Sequence, residues 1–310
     1  MKTQSKAKPR NKPQTEIDVL HADGLAAIPW LVHGFSTRMG GFSKVYGGNA
    51  LNLGFTPQDL RTTVERNRRA LTAAAGAKNG RAIWPMITLR QIHSDLIHGI
   101  AEGPKELLAG DGLVTCTPGI LMAIQTADCL PIILADPTRD AVGVFHAGWR
   151  GTIKRIVEKG VGEMQRWFGS RPGDLKAAIG PGIRGCCYQV GPEVRSAFDS
   201  QFNYATALFR ETKETHEIRE RYPLLFMTAR APGHSELPKK IFLDLAEANR
   251  RQLLDAGLAA NNIFDLGLCS SCRVDLFFSH RAEKGATGRM MAVVGIRRAT
   301  QPTPLTKGSP

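Results

Sequence analysis

Along most of the chain, apolar positions follow one of two spacings. In "TPQDLRTTVERNRRALTAAAGA", residues 56–77, Leu60, Val64 and Leu71 recur at helical spacing. Thr56 is placed to cap that helix, Pro57 to open it and Gly76 to stop it. A second helix is expected after "HAGWRG", with Ile153, Ile156, Val157, Met164, Trp167 and Phe168 along one side. A third, "DLAEANRRQLLDAGL", starts at Asp244 and stops at Gly257. Short apolar runs read as strands: "ILMAIQT", "CLPIILA", "AVGVFHA", "LKAAIG" and "MMAVVGI". Strand and helix signals alternate, so the fold class is mixed α/β.

With 310 residues, 42% of them hydrophobic and 22% charged, the chain can bury a sizeable core near the upper size for one domain. No run reaches the roughly 18 apolar residues of a membrane span, and the N-terminus lacks an apolar signal segment, so a soluble cytoplasmic protein is expected. Six cysteines in so long a chain, two of them adjacent, read as reduced thiols. The net charge is +13, but Lys2, Lys6, Lys8, Arg10 and Lys12 precede the first acid, Glu16, leaving +8 for the rest. Residues 1–23 are therefore read as a basic disordered tail, residues 24–299 as the catalytic body and residues 300–310 as a loose end. Residues 210–240 are polar and aperiodic, as in a long surface excursion.

The chemistry gathers around "TADCLPIILAD", where Cys129 follows Asp128 at the start of a strand. The polar "DPTRD" joins this strand to "AVGVFHA" as a hairpin. Reversal near Thr138 would set Cys129 opposite Ala147, beside His146, with opposed Cβ atoms about 5 Å apart. His93, in "LRQIHSD", is a third candidate ligand. Two imidazoles and one thiolate suit zinc with its fourth position open for water or substrate. The same side chains could instead be an inert buried thiol with hydrogen-bonded histidines, or a cysteine nucleophile with His146 as its base.

Three glycine-rich turns add anion-binding character. "FHAGWRGT" carries Arg150 at a strand-to-helix junction, "HGFSTRMGGFS" carries Arg38, and "GPGIRGCCYQVG" is the third. Arg38 is read as a phosphate clamp with a part in catalysis, or as an arginine bridging a turn to a carboxylate. Asp128 and Asp111 are read as proton carriers or as groups that orient the ligands, Asp128 on the catalytic side and Asp111 near substrate. "CSSC", Cys269 to Cys272, is expected to have a structural or incidental role rather than a redox or zinc-ribbon one, because Cys186 and Cys187 are adjacent and do not form a second pair at zinc-ribbon spacing.

Together these segments, with "AAIGPGIRGCCYQVGPEV" and "FFSHRAEKGATGRMMAVVGI", resemble the YfiH family over roughly residues 30–298. That family is also called the multicopper polyphenol oxidase (laccase-like) family, the peptidoglycan editing factor family, and a purine nucleoside phosphorylase family. The resemblance implies a single α/β domain with mixed β-sheets sandwiched between helices, and a catalytic zinc held by His93, Cys129 and His146. It further implies purine nucleoside phosphorylase and adenosine deaminase activity, with nucleoside and phosphate as partners. His280 stands where relatives often have tyrosine, and the second arginine of the usual pair is missing, so substrate contacts there differ.

Three other readings are carried forward. One is an amidase that edits a cytoplasmic peptidoglycan precursor by removing a misplaced serine. Another is a copper polyphenol oxidase, which a chain with eight histidines and no His-x-His pair supports poorly. The last is a nucleic-acid or partner-binding protein using the basic tail, for which no recognised motif speaks.

Overall fold

The long strands divide their side chains between two different cores, which is why they read as continuously apolar. In the computed structural model, which describes residues 16–104, 106–213 and 239–297, Leu130–Asp136 sends Leu130, Ile132 and Leu134 toward helices and Ile133 and Ala135 toward a second sheet. Met290–Ile296 does the same, with Ala292 and Val294 facing the first sheet and Met291 and Val293 facing a helix on the far side.

The result is four layers. The six-stranded sheet runs Ile263–Asp265, Lys176–Ile179, Leu130–Asp136, Ala141–Ala147, Gly112–Thr115, Ile97–Gly99. The five-stranded sheet runs Val19–Leu20, Leu31–Ser36, Met290–Ile296, Leu121–Thr126, Met86–Ile87. Both are mixed, and their shared core includes Phe35, Met122, Val142, Val144 and Val294. The helix Arg61–Ala74 covers the outer face of the smaller sheet through Leu71. Helices Ile156–Phe168 and Leu245–Asp255 cover the larger one through Val157, Val161, Met164 and Leu253. A single α/β domain with mixed sheets between helices is thus the fold.

Phe145 shows how tightly the larger sheet meets its helix. A Cβ on Gly112, Gly143 or Gly160 would come within 2.8 Å of the Phe145 ring, so the three glycines form its slot. Emptying that slot with Phe145→Ala would cost about 3–5 kcal/mol and loosen the strand that carries His146.

Several local expectations are corrected. The first helix starts at Arg61, not after Thr56. Thr56 instead hydrogen-bonds Tyr46, and the Asp59 carboxylate accepts from Ser43 and Asn52, holding the preceding residues in a turn. The second helix is broken: Trp149–Ile153 ends at Lys154, Arg155 takes a left-handed φ of 62°, and Ile156–Phe168 continues in a new direction. The third helix starts on Asp244, whose side chain accepts from the Glu247 N–H, and Gly257 follows it with φ of 97°. The ordered body begins before residue 24, because Val19–Leu20 pairs with Leu31–Ser36. The ends of the 210–240 excursion are strands, Phe209–Lys213 and Lys239–Leu243, paired antiparallel. The rest of that excursion, most of the basic tail and the C-terminal end lie outside the described residues. Among the described residues no helix is long and apolar enough to cross a membrane.

Candidate active site and metal centre

Two of the chain's passages between the two sheets each carry a donor. Ala127, Asp128 and Cys129 link Leu121–Thr126 of the smaller sheet to Leu130–Asp136 of the larger. Residues 88–96 link Met86–Ile87 to Ile97–Gly99 and carry His93. His146 comes from the strand Ala141–Ala147, which pairs with Leu130–Asp136.

The hairpin register differs by one residue from the expectation, with Leu130 rather than Cys129 opposite Ala147. A four-residue loop causes the shift: the Asp136 carboxylate accepts from the N–H groups of Thr138 and Arg139, and Asp140 adopts φ of 48°. The shift is what allows the site. Pro131 now pairs with His146, so Cys129, two residues before Pro131, falls on the same face as the imidazole.

The donor atoms of His93, Cys129 and His146 all lie within 4.8 Å of one another. Cys129 Sγ is 3.9 Å from His93 Nε2, and the two imidazole rings meet edge to face at 4.9 Å. His146 is buried, with Nδ1 2.8 Å from Asp111 Oδ1, which leaves Nε2 for the site. A carboxylate behind the remote imidazole nitrogen is the support that metal-bound histidines use. Two nitrogens and a sulfur held this way fit a tetrahedral metal with one position open. Gly148 leaves room for them, since a Cβ there would sit 2.9 Å from Cys129 Sγ and 3.2 Å from His93 Cδ2.

Electrostatics couple the thiol to the imidazole. Burial raises the Cys129 thiol, but the charge and hydrogen bond of His146, with His93, outweigh it and bring its pKa down to about 6. Burial lowers His146, yet Cys129 and Asp111 push it up to about 9. Asp111 is fully buried and is drawn down to about 2, because its hydrogen bonds with His146 and Ser94 outweigh the burial.

Asp111 and Asp128 both orient other groups. Asp111 accepts from the backbone N–H groups of Ile92, His93 and Ser94, from the Ser94 hydroxyl and from His146. It does not line the pocket in front of the donors, which corrects its expected contact with substrate. Asp128 lines that pocket, but Oδ1 accepts from Ser270 and Ser279 and Oδ2 from the Arg281 N–H. These hydrogen bonds tie the loops of Ser270, Ser279 and Arg281 to Asp128. Asp128 also adopts φ of 93°, a strained backbone for a residue with a side chain.

Arg38 and Arg150 are not among the residues that line this pocket. The Arg38 guanidinium donates to Val274 O, Tyr46 O and Glu283 Oε1 and stacks 4.5 Å over Phe278, so the bridging arginine is the observed one. Arg150 stacks on Trp149. The pocket measures about 590 Å³ and is lined instead by Arg90, Arg281 and Arg289, with Tyr188 and Ile183 among its apolar surfaces. The sequence signals for these arginines were "LRQIHSD" and "FFSHRAEKGATGR", far apart in the chain.

A profile of the family described as multi-copper polyphenol oxidoreductase laccase matches residues 32–297. The chain belongs to this laccase-like family. A family member from Deinococcus radiodurans named purine nucleoside phosphorylase is 39% identical over 285 residues, covering 91% of this chain and 94% of its own. The crystal structure of YlmD from Geobacillus stearothermophilus superposes with a TM-score of 0.73 at 32% identity, covering 92% of this chain and all of that one. YfiH from Bacillus licheniformis gives 0.71 at 31% identity, covering 86% and 93%. The fold of these two relatives therefore extends over most of this chain.

The structure adds to one further reading. Cys186, Cys187, Cys269 and Cys272 converge, with their sulfurs all within 4.8 Å of one another, so "CSSC" does have a partner pair. Ribbon spacing did not reveal it because the second pair comes from one tight turn.

Proposed function

We propose that the chain is a zinc-dependent purine nucleoside phosphorylase that also deaminates adenosine. One observation carries the reading: the imidazole, thiol and imidazole line a single nucleoside-sized pocket with Arg281 and Arg289. Among the described residues neither guanidinium is in an ion pair; Arg281 donates to Gln189 O, and Arg289 to Thr287 O and Gly288 O. Both keep donors for an anion such as phosphate. The name of the Deinococcus relative supports the phosphorylase part of this reading.

In phosphorolysis a phosphate oxygen bonds to C1′ while the glycosidic bond breaks, and the purine leaves with the electron pair and takes up a proton. Arg281 and Arg289 would hold the phosphate and offset its charge, a task of positioning more than of strong base catalysis. Tyr188 and Ile183 offer apolar surface to the base. Zinc on His93, Cys129 and His146 would supply Lewis-acid polarisation. Asp111 keeps a proton on His146 Nδ1, and Asp128 fixes the loop that carries Arg281. In deamination, water replaces the amino group at C6 and ammonia leaves. Copper oxidation finds little support, since the two donor groups among the described residues contain two histidines between them, too few for a trinuclear cluster.

The test is turnover of adenosine and inosine with and without phosphate, before and after chelation. Free base and ribose 1-phosphate should form only with phosphate, while inosine and ammonia should form from adenosine in either case. Zinc should restore chelated protein. Oxidation of phenols in its place, or serine released from a UDP-muramoyl amino acid, would overturn the reading.

A further inference from the structure

The four cysteines outside the pocket have no part in the nucleoside chemistry, yet two loops distant in sequence bring them together. Residues 185–187 form a turn in which the Cys187 and Tyr188 N–H groups both donate to Arg184 O, so adjacent Cys186 and Cys187 can present sulfurs to one side. In the second loop the Arg273 N–H donates to Cys269 O, and the turn it closes presents Cys269 and Cys272 together. The loops are stitched by a bridge between Gly182 and Cys269 and by the Ser270 N–H donating to Gly182 O. Cys272 Sγ lies 3.5 Å from Cys186 and 3.3 Å from Cys187, so the geometry selects no single disulfide partner. A zinc ion with Zn–S bonds of about 2.3 Å requires sulfurs about 3.8 Å apart, all around one centre. Four sulfurs within 4.8 Å meet that condition with small adjustment. The buried Cys269 sulfur also faces the backbone amides of Arg184 and Cys272, which would offset thiolate charge.

We propose that Cys186, Cys187, Cys269 and Cys272 form a second, closed metal site that takes one zinc ion and has a structural role. Its position gives that role content. Ser270, between Cys269 and Cys272, donates to Asp128 Oδ1 at 2.7 Å, and the Ile183 N–H donates to Asp128 O at 2.7 Å. Tyr188, next to Cys187, lines the pocket. An ion here rivets the two loops that hold the Asp128–Cys129 segment and one pocket wall. It leaves no open position for substrate.

The full-length protein, purified with reductant and zinc, is analysed by elemental mass spectrometry alongside Cys129→Ala, Cys272→Ser and the double variant. The expected contents are about two zinc ions for the unaltered chain, about one for each single variant and close to none for the double. Because Cys272→Ser can misfold, Cys129→Ala is also loaded with cobalt, whose absorption distinguishes four thiolates from fewer. The intense charge-transfer and ligand-field bands of a tetrahedral tetrathiolate are expected. Three results would overturn the site: a single zinc lost entirely in Cys129→Ala, no tetrathiolate spectrum, or an intact mass showing a disulfide among these cysteines in the reduced preparation. The Cys129→Ala background reads this site alone, so the outcome is independent of whether the pocket turns over nucleosides.

Discussion

Asp111 Oδ1 lies 2.8 Å from His146 Nδ1 and 3.1 Å from the backbone nitrogen of His93, so one carboxylate oxygen sets the position of both imidazoles. His93 needs that help, because its φ of 55° is unfavourable without the amide hydrogen bonds on either side of it. Asp111→Asn keeps the size of the side chain but removes its charge and one acceptor. Metal affinity at this site should fall about 10- to 100-fold. Competition with a chromogenic chelator measures it, and an unchanged affinity would show that the carboxylate acts only on the loop.

Cys129 supplies the one anionic donor of its set, so Cys129→Ala should release the metal held with His93 and His146 and abolish nucleoside turnover. The unaltered chain, stripped of metal by a chelator, allows a pH test. With the thiol drawn down to about 6, mainly by His146 against its burial, its alkylation should rise with pH through about 6. An unperturbed thiol would respond near pH 8.5. Peptide mapping after iodoacetamide treatment separates Cys129 from the other cysteines. A midpoint above 8 would reject the thiolate–imidazolium pairing.

Arg281 and Arg38 should respond in opposite ways. Arg281→Ala keeps the backbone N–H that binds Asp128 and loses only the guanidinium. Phosphorolysis should weaken by roughly 2–4 kcal/mol in kcat/KM, with deamination falling less. Arg38→Ala leaves the acceptors Val274 O, Tyr46 O and Glu283 with one donor fewer each and removes a ring contact. A stability loss of about 1–3 kcal/mol is expected, with KM for phosphate unchanged in the folded fraction. Kinetics and thermal unfolding on both variants decide between the roles; a raised phosphate KM in Arg38→Ala would restore it as the anion clamp.

What could be read from the chain was set by distance along it. Five strands and three helices follow from local periodicity, though the strand Leu31–Ser36 and the helix Pro192–Gln201 did not stand out, and Cys129 and His146 are neighbours across one hairpin. His93 was legible as a candidate by residue type but not by position, because its loop reaches the site only when both sheets are in place. The roles of Asp111 and Arg38 were legible only as alternatives, since a buried hub and a substrate contact use the same residue types. Arg281 and the Cys186, Cys187, Cys269, Cys272 cluster depend on contacts spanning more than 80 residues, which no local pattern encodes. The one-residue hairpin shift came from Asp136 bonding its own turn, a side-chain effect that hydrophobic alternation does not register.

His33 makes the stability of the fold depend on pH without involving the metal donors. It lies in the strand Leu31–Ser36, only 3% exposed, and its Nε2 accepts from the Ala22 N–H, which requires a neutral ring. Burial first, and the charge of His21 second, lower its pKa from 6.5 to about 4. Above pH 6.5 the ring is neutral in both the folded and unfolded chain, and its contribution is fully present. As pH falls from 6.5 toward 4, the unfolded chain takes up a proton that the folded chain refuses, so stability declines across that window by roughly 3 kcal/mol and levels off below it. His33→Gln keeps an acceptor for Ala22 but cannot titrate, so it should flatten this part of the profile. Urea unfolding of both proteins with chelator present, at pH 6.5, 5.5 and 4.5, isolates the difference from any loss of metal. Parallel profiles for the two would mean that His33 is protonated in the folded protein and that the Ala22 hydrogen bond does not hold it neutral.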